Sequence, residues 1–232
     1  MVRSTVSLAL ILSILAAAVP SGALAASDLL RQGAFSRLHR LSDPYDAFHD
    51  NFLLAGFQIV GERIHLENGQ LTVSIQRVSA GDFSMENLGA QAAFPLGDAF
   101  FADPLAAGVN NFLTSSTITV AKLSAKTVLV SETTQEQEIM NVDVKDIRIA
   151  HNQKVVKGHL KVLIFPADFS GKSSYSKTDK KLTVTVESIS MGGIPVPLDL
   201  AFFIMKQIIS FDFIQIQKPN IIFNLGAFLP QP

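Results

Sequence analysis

His39, His49, His65, His151 and His159 are the residues of this chain best suited to holding a metal or moving a proton. No two of them stand four apart with a Glu between, as a zinc hydrolase helix requires, and no His-x-His occurs. A metal site would have to be assembled from distant parts of the chain. Cysteine is absent, which excludes thiolate catalysis, Cys-ligated metal and lipid anchoring on a cysteine. There is no G-x-S-x-G elbow, phosphate-binding loop or dinucleotide fingerprint. Gly192-Gly193 sits between a strand pattern and a helix, where an anion can bind. Pro195 and Pro197 each remove a donor there, so a tight turn that aims the helix is the better reading. Asp143, Lys145, Asp146 and Arg148 interleave with apolar residues, as the solvated face of a strand does, rather than pairing for acid–base work. Lys172, Lys177, Lys180 and Lys181 cluster around a turn; a solvated loop is the simpler reading and a contact to lipid headgroups the alternative. The expectation is a protein that is not an enzyme and uses no cofactor or metal.

The elements that would position functional residues begin after an export signal. Arg3 supplies a basic start, Val6 to Val19 an apolar run, Pro20-Ser21-Gly22 a break, and Ala23-Leu24-Ala25 a small-residue cleavage site. Residues 1–25 therefore read as a signal peptide cut between Ala25 and Ala26, with an apolar run too short to span a bilayer. The expected location is periplasmic or secreted. Residues 26–232 read as a single domain. Arg3 is the only charged residue of the signal segment, so one of the chain's 19 basic residues leaves with it while all 20 acidic ones stay. Such a balance offers no general attraction to nucleic acid or anionic lipid. Seventeen Phe stand against two Tyr and no Trp, which points to dry surroundings: a large core or an apolar cavity.

Along the chain, Asp28 to Leu41 has the spacing of a short helix ended by Asp43-Pro44, and Tyr45 to Leu54 reads as a second one. Asn68-Gly69 marks a hairpin joining Phe57–Leu66 to the alternating run Leu71, Val73, Ile75. Phe83 to Phe94 reads as a strand or an extended connection. Asp98 to Ser116 is an apolar helix that Pro104 starts or kinks. Thr117 to Val130 alternates with one slip near Ala121, which would suit a bulge. Val142 and Val144, then Ile147 and Ile149, form the next strand. Val155 to Phe165 follows, with Leu160, Val162 and Ile164 on one side, then a polar turn region from Ser170 to Lys181. Leu182, Val184 and Val186 lead into the Gly-Gly turn and an apolar helix from Leu198 to Phe211. Phe213 to Gln217 and Asn220 to Leu225 are extended and separated at Pro219. The fold class is α+β: a long curved antiparallel β-sheet wrapped around one or two apolar helices.

The order strand, Gly-Gly-Ile-Pro-Val-Pro, apolar helix over Leu182–Phe211 resembles the C-terminal part of the LmeA-like exported bacterial lipid-binding domains. These are related to the tubular lipid-binding (TULIP-like) fold. Upstream of that segment the resemblance extends only as a general strand pattern. It implies a TULIP-like half-barrel with a groove for acyl chains and a role in envelope lipid binding or transport, and it brings no catalytic residues. Its matching positions are Gly193, Pro195, Pro197 and the helix face Leu198, Phe202, Met205 and Ile209. The Phe richness and the long Asp98–Ser116 segment depart from it. Ligand-lining residues are thus expected at Leu198, Phe202, Met205 and Ile209, with Phe101, Leu105 and Phe112 from the earlier helix. The expected partner is a lipid or other apolar ligand, with transient membrane-surface contact and no nucleic acid. The alternative is a structural envelope protein whose helices fill the sheet and whose apolar edge binds another protein; a hydrolase with a scattered site ranks last, because no nucleophile–base pairing is visible.

Overall fold

The computed structural model describes residues 45–54, 56–93, 104–130, 137–162, 164–208 and 212–228. The signal segment, the Asp28–Leu41 helix, Phe101 and Ile209 lie outside them. The described chain is dominated by one antiparallel sheet of twelve strands. Nine run as a meander: β1 (Tyr45–Leu54), β2 (Phe57–Glu67), β3 (Gln70–Ala80), β4 (Phe83–Ala93), β5 (Thr117–Val130), β6 (Gln137–Asn152), β7 (Val155–Val162), β8 (Phe165–Ser176) and β9 (Lys181–Met191). The short β10 (Ile194–Pro195) folds back on β9. Then β12 (Asn220–Asn224) joins β9, and β11 (Ile214–Gln217) pairs outside it. Helix α1 (Pro104–Ser115) connects β4 to β5, and α2 (Leu198–Ile208) follows β10.

Several elements form for reasons visible locally. Asn68 and Gly69 both take positive φ, 49° and 71°, as a two-residue hairpin turn between β2 and β3 demands. Gly192 and Gly193 do the same at 57° and 80°, which turns the chain toward α2. Pro104 occupies the first helical position of α1, where its missing N–H costs nothing.

Several expectations need correction. Tyr45–Leu54 is a strand, paired with β2 from Tyr45↔Leu66 to Leu54↔Phe57, because ladder pairing outweighs its weak helical spacing. The Val155–Phe165 run is broken after Val162, and Ile164 sits in the β7–β8 turn, 83 % exposed. Most of the Ser170–Lys181 "turn" is strand, since β8 continues to Ser176 with Gly171, Ser173 and Tyr175 on its inner side.

The slip near Ala121 belongs to a feature that crosses the sheet. In each of β1 to β6, two consecutive residues occupy outward positions at one shared level: Asp50-Asn51, Val60-Gly61, Gln76-Arg77, Glu86-Asn87, Ala121-Lys122 and Lys145-Asp146. Beyond that level the inward phase resumes. Pairing from β2 to β6 passes through without a change of register, so no bulge stands at Ala121. In alternate strands the seam is made by one left-handed residue: Gly61, Asn87 and Asp146, with φ of 65°, 52° and 52°. Glycine, Asn and Asp are the types that tolerate this conformation. Gln76 lies across Gly61, whose absent Cβ would stand 2.5 Å from its Cδ. The seam is absorbed at a register shift between β6 and β7, opposite Lys145–Arg148.

Inward residues of the sheet, Val109 and Leu113 of α1, and Ala201, Phe202 and Met205 of α2 form one apolar core. Phe57 at the start of β2 meets Phe213, just before β11, edge to face at 6.1 Å. The sheet therefore curls far enough for elements near its two ends to touch. The β8–β9 contact tightens at a second register shift, between Ser170 and Gly171. A Cβ on Gly171 would stand 2.4 Å from the Thr185 carbonyl oxygen. Backbone cannot swing away as a side chain can, so Gly171→Ala is expected to lose about 1–3 kcal/mol in urea unfolding. An unchanged midpoint would refute this close approach.

Candidate functional site

Helix α2 carries most of the expected ligand-lining residues. Its sequence leaves it apolar nearly all round, so one face must be covered. Ala201, Phe202 and Met205 are the covered side, at 0, 2 and 0 % exposure. Leu198 is half-buried and packs on the core. The opposite side presents Asp199, Leu200, Phe203 and Lys206 to solvent, with Phe203 60 % exposed. Asp199 is ion-paired with Lys218 of the β11–β12 turn.

Helix α1 carries the second group. Leu105 lies in its first turn, with a side chain outside the described residues. Phe112 is half-buried, its ring 4.5 Å from that of His151. The two helices rest on different parts of the sheet: α1 chiefly on β4, β6 and β8, and α2 chiefly on β11. Phe112 and the Leu198–Phe202–Met205 face therefore join one core without forming a single local lining. Near-zero exposure at Met205, Leu113 and Met85 means that no water-sized space lies beside those side chains.

Two buried polar pairs escaped the sequence reading. His151 in β6 is 3 % exposed. Its Nδ1 lies 3.1 Å from Ser116 Oγ, and its Nε2 has no hydrogen-bond partner among the described residues. Burial lowers its pKa from 6.5 to about 4, because the dry site disfavours the imidazolium. Glu62 in β2 is 1 % exposed and meets His49 Nδ1 of β1 at 3.0 Å. Glu62 falls on the inner face because the seam shifts the phase one residue earlier. Only the cross-strand register, unreadable from local pattern, could have revealed either pair.

On the outer face, Arg148, His159, Asp168 and Ser190 stand side by side across β6 to β9. They edge a groove of about 400 Å³ floored by Ala150, Ser170 and Ser188. His159 Nδ1 meets Asp168 Oδ1 at 2.7 Å, which invites comparison with a hydrolase triad. The order is wrong for one: the carboxylate lies between imidazole and hydroxyl, whereas a relay needs the imidazole between the other two. Among the described residues, no three His, Asp or Glu side chains converge where a metal could sit.

The remaining conspicuous surface is apolar. Ile164 of the β7–β8 turn, Phe165 at the start of β8 and Ile194 of β10 are 83, 52 and 70 % exposed. The Gly192 N–H donates to the Pro166 carbonyl at 2.7 Å, fastening the two turns together. No helix among the described residues is long and apolar enough to cross a membrane. The lysine-rich turn (Lys177, Lys180) lies at the opposite end of the sheet, with Lys172 ion-paired to Glu187. Compared with known proteins, the chain matches no family model, no curated protein and no solved structure.

Proposed function

We propose that this chain is an exported, non-catalytic protein that holds a lipid or other apolar ligand between its curved sheet and α2, as its likeness to LmeA-like domains implies. The TULIP-like character of the half-barrel and a role in envelope lipid transport belong to the same proposal. The observation that carries it is the two-sided apolarity of α2. Phe202 and Met205 seal the core while Leu200 and Phe203 on the same helix face water, although a helix that serves only as a lid on a core needs one apolar side. A ligand would be admitted by displacing α2 from β11, with Phe202 and Met205 then facing the acyl chain. Each buried methylene contributes roughly 0.8 kcal/mol, so a chain of ordinary length supplies the affinity.

Native mass spectrometry of the protein purified from its own host, with organic extraction, tests this reading. A stoichiometric lipid is expected. A clean apo mass that persists after incubation with host lipid extract would refute it. The covered state of Phe202 and Met205 specifically favours one rival: a structural envelope protein with a filled core that binds another protein. That rival predicts the clean apo mass.

A further inference from the structure

His151 lies beneath α1 in neutral surroundings. The Phe112 ring covers it at 4.5 Å, and Ser116, the residue after α1, meets its Nδ1. Its Nε2 has no hydrogen-bond partner among the described residues. Helix α1 contains no ionisable residue. The described charged side chains of β4 to β7 point outward, and of the ionisable residues of β8 only Tyr175 is on the inner side. Lys154 of the β6–β7 turn is exposed, and its charge would oppose a second cation nearby. An imidazolium carries two N–H donors. Ser116 can accept one of them; the other would stand bare in a dry site, so the closed protein keeps the ring neutral.

The cover over this ring is held by few contacts. Helix α1 gives the core two buried side chains, Val109 and Leu113, whereas β6 gives four apolar ones, Val142, Val144, Ile147 and Ile149. Two hydrogen bonds fasten its last turn. Lys154 N–H donates to the Leu113 carbonyl at 2.8 Å and Ala93 N–H to Ser115 Oγ at 2.9 Å. The bond from His151 N–H to the Ser116 carbonyl extends the β5–β6 ladder and does not need the helix. Ser116 is therefore the hinge. Segments with few buried contacts open locally at a fraction of the cost of global unfolding. Lifting α1 takes Phe112 off the imidazole and admits water, so the lifted state binds a proton that the closed state refuses.

We propose that α1 is an acid-operated lid: protonation of His151 lifts the helix about Ser116 and opens the part of the core that it covers over β4, β6 and β8. The device rests on the carrier reading only for its use, which is acid release of the apolar ligand from a core that stays shut at neutral pH. Helix α2 packs chiefly on β11, so entry beside α2 and exit beneath α1 are separate events.

The chain has no cysteine, so one introduced thiol reports on one place. Val109→Cys lies under the lid, Val184→Cys in the core side of β9, and Thr114→Cys on the exposed side of α1. Each is labelled with a dipyridyl disulfide, and the first two rates are divided by the third to remove the pH dependence of the thiol itself. From pH 7.5 to 5 the Val109→Cys ratio should rise about thirtyfold, or roughly tenfold per unit below 6.5. Mild urea should hardly change it, because lifting one helix exposes little surface. Labelling of Val184→Cys needs global unfolding, so it should be slower and climb steeply with urea. Adding His151→Asn to Val109→Cys should flatten the rise with acid. A Val109→Cys ratio that ignores pH, equal rates and equal urea dependence at the two buried positions, or a rise that persists in a folded His151→Asn chain would each overturn the lid. If the Asn variant fails to fold, the pH slope and the urea comparison still decide. Lipid found by native mass spectrometry should pass to phosphatidylcholine vesicles faster at pH 5 than at 7.5. Acid-dependent labelling with a clean apo mass leaves the lid standing and refutes the carrier reading; a stoichiometric lipid with labelling that ignores pH does the reverse.

Discussion

Phe202→Ala is expected to cost about 3–5 kcal/mol of folding stability, while Phe203→Ser, one residue on, changes it by less than about 0.5 kcal/mol. The two phenylalanines share a helix and differ only in direction: 2 % against 60 % exposed. Removing the Phe202 ring leaves a cavity facing an otherwise continuous core, because Ala201 and Met205 beside it are themselves fully covered. Removing the Phe203 ring takes apolar surface out of water. For a chain of this size the Phe202 change should lower the melting temperature by about 10 °C. Urea unfolding followed by circular dichroism measures both. If α2 is displaced to admit a ligand, the variants separate further. Loaded lipid should raise the parent's stability, and Phe202→Ala should blunt that rise through loss of a ligand contact. A Phe202→Ala midpoint equal to the parent's would mean that α2 does not seal the core at all.

The second large effect is a dependence on pH. His151 stays neutral in the folded protein until about pH 4, against 6.5 for the unfolded chain, because burial disfavours its charged form. A base whose folded pKa is depressed contributes nothing against unfolding above pH 6.5. As pH falls from there toward 4, the unfolded chain takes up a proton that the folded chain refuses, and stability declines. The full difference is worth about 3 kcal/mol. His151→Asn keeps a side chain able to bond Ser116 and removes the titration. Urea midpoints for parent and variant at pH 7.5 and 4.5 should therefore converge or cross as pH falls; parallel slopes would sink the idea. The strain should appear first at α1. The His151 N–H donates to the Ser116 carbonyl and the Lys154 N–H to the Leu113 carbonyl, each at 2.8 Å, so the hairpin that charges His151 also holds the helix end. Hydrogen exchange in α1 should quicken at low pH before it does in β8 and β9.

The strand-dominated character, the Asn68-Gly69 hairpin, the helix start at Pro104 and the turn before α2 were all legible because each rests on local chemistry. What misled was the seam. A strand that turns two neighbours outward spaces its inward residues two, three, two apart: Val73, Ile75, Val78, or Ile118, Val120, Leu123, Ala125. The three-residue step imitates a helix, and in Tyr45–Leu54, where Ala47, His49 and Phe52 point inward, it concealed a strand. β8 failed for another reason. Its inner side carries Gly171 and Ser173, so no apolar alternation announces it. Ile164 kept the parity of Leu160 and Val162 but lies past the strand's end. Of the expected ligand face, the inward direction of Phe202 and Met205 was readable from helical spacing. The pairs His49–Glu62 and Ser116–His151 were not, since each joins parts of the chain whose pairing the local sequence does not encode.

The seam also limits how this chain can change. Deleting one residue from a single strand at that level would turn every side chain on one half of that strand over, sending leucines to water and lysines to the core, while its neighbours kept their phase. Only a matching step in all the adjoining strands would keep the ladder intact. The six outward pairs behave in this respect like one splice shared by six threads. Sequence drift can alter which residues occupy it far more readily than it can move or remove it.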